Sequence, residues 1–202
     1  METVNIAGQS RSTGSKSSKA IRQEGNIPCV LYGQDGNTHF SVGRQAIKPL
    51  VYTPDFKIAE INVDGKNFRG ILKDIQFHPV TDNIEHVDFL QLTDGVPVKV
   101  NLPLRTKGAS EGVKVGGKLI QQVRSILVKT LPEHLVDELY VDISDLNLGQ
   151  SARVRDIEVN DNIQIMNPGA TPVVMVEIPR ALRSAQSQAE DGTDAPADAA
   201  AE

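Results

Sequence analysis

Residues 57–72, KIAEINVDGKNFRGIL, constrain the fold more than any other stretch. Two alternating runs flank Asp64-Gly65, a dipeptide suited to the positive φ values of a two-residue turn, so the segment reads as a β-hairpin. An isolated hairpin is marginal in water and needs further strands against its apolar face. The chain supplies them. IPCVLYG (27–33) and THFSV (38–42) read as strands, GRQAIKPLVY (43–52) is a short helix with Pro49 inside it, and residues 14–24 form a second helix after a flexible Gly/Ser-rich arm. Beyond residue 95 almost everything reads as strand: VPVKVNLPL, KLIQQVRSILVKTL, ELYVDIS, ARVRDIEV, NIQIM and TPVVMVEIP. Gly and Pro separate these runs at short intervals, as in a small sandwich or barrel.

The aromatic residues divide the chain. Seven of the eight lie before residue 91, and only Tyr140 follows. Two cores built from different material account for this, with a boundary near LTDGVPV (92–98), where Asp94-Gly95 and Pro97 give turn signals. At 202 residues the chain is long enough for both. The tail 181–202 is rich in Ala, Asp, Gln and Ser, and is expected to be disordered because it cannot bury enough apolar surface to offset its ordering entropy.

Charge is unevenly spread. The net charge is −5, but residues 181–202 hold five acids and one cation, which leaves −1 for residues 1–180. Residues 11–22 carry Arg11, Lys16, Lys19 and Arg22 without an acid. The overall acidity is therefore mostly a tail, and a basic segment remains for an anionic partner. No apolar run approaches the ~20 residues of a membrane span, and the N-terminus has no apolar signal region. The single cysteine, Cys29, fits a reducing cytoplasm and reads as a plain buried thiol.

QFHPVTDNIEHVDFLQL (76–92) holds two of the four histidines and three acids. With a strand period of two, Ile71, Ile75 and Phe77 share one face, with Lys73 an exception, and Asp74, Gln76 and His78 share the other. After a turn over Pro79–Asn83, Val87 and Phe89 fall on one face, His86 and Asp88 on the opposite one. Two such strands would bury Ile75, Phe77, Val87 and Phe89 and present Gln76, His78, His86 and Asp88 as a flat polar platform. His78, beside Pro79, is better read as a turn-capping or solvent-facing residue.

Metal chemistry finds little support here, because the spacing H-x7-H-x-D lacks the tight ligand pairs of zinc motifs. Residues i and i+2 of a strand stand about 6.5–7 Å apart, so His86 and Asp88 are better placed to contact a third body than each other. No nucleophile motif occurs, and VKVGGKL (113–119) lacks P-loop spacing. An ordinary solvated sheet face remains one reading. The polar face, an exposed Tyr32 and a mobile basic arm also suit the wide, shallow minor groove of RNA, with cations on phosphates and Asp88 directed to base donors.

GSKSSKAIRQEGNIPCVLYG, followed by KDIQFHPVTDNIEHVDF, resembles the bacterial 5S-rRNA-binding ribosomal protein family known as L-twenty-five, including its long form, general stress protein Ctc. The likeness covers residues 1–92 in motif detail; beyond that it rests on length and strand pattern. The resemblance implies a protein of the central protuberance of the large ribosomal subunit that binds 5S rRNA through a small β-barrel with a few short helices. It also implies that Arg22 grips the RNA backbone, that Tyr32 closes its strand at the RNA, and that Gln76, His86 and Asp88 form the platform. Arg11 and Lys16 lie in the family's basic arm, and Lys19 stands where relatives often carry a cation. Ala20 and Phe77 are departures, since some relatives have basic residues there.

The expectation is a mostly β protein: an rRNA-binding barrel domain over 1–92, a β-rich domain over 93–180 against neighbouring rRNA or ribosomal proteins, and a disordered tail over 181–202. No cofactor, metal, catalysis or membrane is expected, and the location is cytoplasmic. Two alternatives stay open: a stress-linked RNA-binding or assembly factor only transiently on the ribosome, and a small metal-dependent hydrolase using His86 and Asp88.

Overall fold

The computed structural model describes residues 2–34, 36–160 and 162–179. The tail expected to be disordered lies outside the described residues. Six strands and two helices make up the first part: β1 (Glu2–Ser10), α1 (Ser15–Gln23), β2 (Asn26–Gly33), β3 (Gly36–Gly43), α2 (Arg44–Val51), β4 (Lys57–Val63), β5 (Lys66–Phe77) and β6 (Ile84–Gln91). The strands close a barrel in the order β1-β3-β2-β6-β5-β4. Closure removes the free edges that would otherwise offer unpaired backbone groups.

The Asp64-Gly65 hairpin forms as expected. Val63 pairs with Lys66, and Asp64 and Gly65 take φ of 51° and 85°, the left-handed pair that a primed two-residue turn demands. Of the described residues ahead of α1, expected to be a flexible arm, only 11–14 lack regular structure. Residues 2–10 are a barrel strand, parallel to β4 and antiparallel to β3, fixed at its start by Glu2 on Lys57 at 2.9 Å. Only Ile6 of β1 is fully buried, so its pattern carries little of the apolar alternation that marks a strand. Its backbone pairing, rather than its side chains, holds it in the barrel.

Inside the barrel Phe40 and Phe89 lie with ring centroids 6.0 Å apart, surrounded by Ile6, Ile27, Cys29, Leu31, Ile61 and Val87. Burial pushes the Cys29 thiol up to about 12, so it stays protonated and serves as core. α1 packs against β2, which explains why β2 is buried on both faces over Ile27–Leu31.

Two irregularities in the β5–β6 ladder correct the simple alternation. Between Leu72 and Asp74 the register shifts by one residue, so Lys73 is the extra residue of a bulge. One inserted residue exchanges the two faces of a strand. Leu72 and Ile75 therefore pack against the core, while Ile71 belongs to the other side. The second irregularity lies at Gln76 and Phe77: Gln76 pairs with His86, but Phe77 pairs with Ile84 and skips Glu85. Phe77, expected to be buried, is 45% exposed in consequence.

The remaining strands are β7 (Val98–Lys107), β8 (Lys118–Gln121), β9 (Ser125–Thr130), β10 (Leu139–Asp142), β11 (Ser151–Arg153), β12 (Ile157–Glu158), β13 (Gln164–Ile165) and β14 (Pro172–Glu177), with a one-turn helix α3 (Glu111–Lys114) capped by Ser110. KLIQQVRSILVKTL, read as one strand, is two, and ARVRDIEV is broken by a 3-10 turn at Val154–Asp156. Two compact units emerge, interleaved in sequence after residue 103. The described residues of Met1–Pro103, Ser125–Leu139 and Val159–Met166 form the first, in which β9 pairs with β7 on one side and β13 on the other. In the second, β14 lies between β11 and β8, and β10 pairs with β12.

Candidate nucleic-acid interface

The bulge at Lys73 sets the geometry of the barrel's outer face. After it, Asp74 and Gln76 point outward and stand directly opposite Asp88 and His86. β6 runs parallel to β2 on its other side, which sets Asp88 beside Val30 and Leu90 beside Tyr32. Gln76, His86, Asp88 and Tyr32 thus share one surface over three neighbouring strands, supported from beneath by Ile75, Val87, Phe89 and Leu31.

His86 and Asp88 meet, against the expectation that they would be held apart. Nδ1 of His86 lies 2.8 Å from Oδ1 of Asp88, and both side chains are only 18% exposed. The Cα spacing along a strand leaves room for a long imidazole to lean back toward its i+2 neighbour, and the twist added by the adjoining bulge favours that lean. The approach is oblique, so neither buried atom has a well-directed hydrogen bond. Burial holds the imidazole pKa below its ordinary value; the Asp88 charge opposes this, while Arg11 and Arg22 add to the lowering. At neutral pH His86 is therefore uncharged. With Nδ1 turned to a carboxylate the proton belongs on Nδ1, which leaves Nε2 as an acceptor.

Tyr32 completes the cluster. Its phenol is held above the ordinary tyrosine pKa, first by burial and then by the charge of Asp88 and a hydrogen bond with that carboxylate. The phenol stays protonated and donates. Arg22, exposed on α1, donates from Nε to the carbonyl of Glu85 at 3.0 Å. Glu85 is the residue that the β5–β6 register skips, so the irregularity provides the acceptor that ties α1 to the platform. Arg11 is half-buried, donating from Nε to the Phe40 carbonyl (3.2 Å) and from Nη1 to Ser18 (3.3 Å). It braces β3 against α1, with three N–H groups of its guanidinium left for other partners. Lys16 and Lys19 are exposed on α1, and with Arg22 they follow a three-residue spacing that spreads over about a third of the helix circumference.

The structure thus brings Arg11, Arg22, Tyr32, Gln76, His86 and Asp88 to one side of the barrel, and Lys16 and Lys19 to the exposed surface of the adjoining helix. Of the two readings for His78 the structure shows the turn cap: Val80 and Thr81 donate backbone N–H groups to its Nδ1 at 3.2 and 3.3 Å. Sequence reasoning put Asp74 on the polar face but left it out of the platform; it pairs with Asp88, where like charges are unfavourable. Sequence reasoning passed over Arg44, which donates to Asn83 at 3.2 Å beside the same turn. The alternation at Asp74 was visible in the sequence; Arg44 gave no signal, because its neighbour comes from a distant turn. Among the described residues, no three His, Cys, Asp or Glu side chains converge to hold a metal ion.

This face carries an imidazole acceptor, a carboxylate, a phenol and an amide in one layer, rimmed by cations. Comparison with known proteins agrees with the architecture. The model of the Ribosomal L25p family matches residues 6–89, and that of the C-terminal domain of ribosomal protein TL5 matches residues 97–180. A protein of Cytophaga hutchinsonii named large ribosomal subunit protein bL25 is 40% identical over 190 residues, covering 94% of this chain and 98% of the relative. Proteins of the same name from Porphyromonas gingivalis (42% over 188 residues, 92% and 97%) and Bacteroides thetaiotaomicron (38% over 195 residues, 94% and 99%) are similar along the same length. Two matched modules and relatives collinear over nearly their whole length lead to one conclusion: the chain belongs to the bL25 family of ribosomal proteins, in its long form.

Proposed function

We propose that this chain is a structural protein of the large ribosomal subunit, and not an enzyme, that binds 5S rRNA in the central protuberance through the outer face of its barrel. The relatives' shared name supports membership of the large subunit, and with it a cytoplasmic location. The observation that carries the RNA reading is the joined set of Tyr32, His86 and Asp88, in which Tyr32 and His86 turn their protons to the carboxylate and leave acceptor atoms for a partner. A minor groove of RNA displays 2′-hydroxyls and base edges, and guanine adds an amino donor. Nε2 of His86, the phenolic oxygen of Tyr32 and the remaining lone pairs of the Asp88 carboxylate accept from such donors, and Gln76 both donates and accepts. Arg22, Lys16 and Lys19 lie beside the groove on α1 and meet phosphates, with Arg11 behind them.

Titration of the full chain against 5S rRNA, with an unrelated structured RNA as competitor, tests this reading. A specific complex that disappears in His86→Ala/Asp88→Ala is the expected result. Equal affinity for both RNAs would overturn it. Recovery of the protein from salt-washed large subunits at one copy each separates a resident protein from a transient assembly factor, which would be sub-stoichiometric.

A further inference from the structure

On the open face between β7 and β9, Lys99 stands directly opposite Lys129. On the other side of β9, Lys129 faces Gln164 of β13, so Lys99, Lys129 and Gln164 form one row across three strands. The alternate positions Val98, Val100, Val128 and Thr130 are buried, which fixes this row on the solvent side. Directly opposed residues in an antiparallel pair hold their Cβ atoms about 4.5–5.5 Å apart, and like charges so placed repel. Natural sheets usually answer one lysine with an acid. Here neither lysine makes an ion pair among the described residues, and the surrounding sequence offers little relief. Residues 97–130 contain seven cations and a single acid, Glu111, whereas residues 131–179 contain two cations and nine acids. Lys99 and Lys129 thus form a like-charged pair on the solvent side of the sheet, with no ion pair to either among the described residues.

We infer that the Lys99–Lys129–Gln164 row is a second RNA contact, which takes a phosphate of the RNA backbone between the two ammonium groups while the Gln164 amide donates to a neighbouring phosphate or ribose oxygen. The choice of RNA rests on the ribosomal reading above. It is supported by form as well as charge, because two long, flexible donors on a flat sheet meet a repeating phosphate chain without requiring a pocket. Such contacts position the RNA without reading its sequence. This face therefore serves as an anchor for a segment other than the one read by Tyr32, His86 and Asp88. A phosphate placed there also cancels the repulsion that the pair carries in the free protein.

Acetylation of lysines in the full chain, followed by mass spectrometry, tests the inference with and without deproteinised large-subunit rRNA, with polyglutamate as the acidic-protein surrogate. Both lysines should react in the free chain, become several-fold protected by the RNA, and recover at high salt. The variant Lys99→Gln/Lys129→Gln should lower the slope of log affinity against log salt for that RNA by roughly one to two units. Lys99→Arg/Lys129→Arg should restore it. Because the substitution removes a repulsive pair, the Gln variant should melt no lower than the parent, which separates lost binding from misfolding. Unprotected lysines in a chain that still binds 5S rRNA specifically would overturn the anchor and leave the barrel platform standing. Stronger protection by polyglutamate than by RNA would assign the face to an acidic protein and overturn it as well. Protection already present in the free chain, and lost on deleting residues 181–202, would make the chain's own acidic tail the occupant and likewise overturn the RNA anchor.

Discussion

Asp88 acts on two neighbours at once. It draws the His86 proton to Nδ1 and accepts from Tyr32, so one carboxylate sets the donor and acceptor pattern of the face. The residue types and their shared face could be read from strand alternation. Their mutual contact could not, because a period of two gives Cα spacing but not the lean of an imidazole. The lowered pKa of His86 carries a consequence for stability. Above the unfolded value of about 6.5 both states are neutral and the group contributes nothing to the pH dependence. As pH falls below that value the unfolded chain takes up the proton first, so stability declines until the folded value is passed. Urea unfolding between about pH 7.5 and 5 should show this decline in the parent and a shallower one in His86→Gln. Identical profiles would mean that His86 is not held neutral in the folded protein.

At the scale of elements, the β4–β5 hairpin was legible because Asp64-Gly65 sits between alternating runs of matching phase. The bulge left a trace, since Lys73 fell in an apolar phase, but a lone charged residue does not say where the register will shift. β1 was hidden because its place depends on pairing with β4, a strand distant in sequence. The structure gives β1 a sharp requirement. A Cβ at Gly8 would come within 2.6 Å of Cδ2 of Phe40, a ring that is fully buried against Phe89. Gly8→Ala should destabilise the chain by about 1–3 kcal/mol, the usual range for overpacking a filled core, as read by the urea midpoint at unchanged slope. A neutral substitution would mean that β1 is held less tightly than its register indicates. Since β1 runs directly into Arg11, loosening it should also weaken the brace to Phe40 and Ser18.

Across the whole molecule, charge is sorted along the chain: cations on α1 and in residues 97–130, acids in 131–179 and in the tail. This sorting resolves the apparent conflict between a net charge of −5 and an RNA partner. Removing residues 181–202 takes away a local charge of −4 and should leave 5S rRNA affinity unchanged or higher in a binding titration. A large loss would give the tail a direct part in binding. The mostly β character of both modules was legible in the sequence, whereas the interleaving of the two units after residue 103 was not, because β9 and β13 take their places through long-range pairing.

The central claim is a division of labour, with α1 gripping the backbone and the platform reading the groove. It is tested most directly by the salt dependence of 5S rRNA binding for the full chain, Arg22→Ala and Asp88→Ala. Arg22→Ala should lower the slope of log affinity against log salt by somewhat under one unit, as one phosphate contact is lost. Asp88→Ala should cost about 1–3 kcal/mol of affinity with the slope nearly unchanged. If both variants altered only the slope, Asp88 would act through charge alone and the platform would not read the RNA.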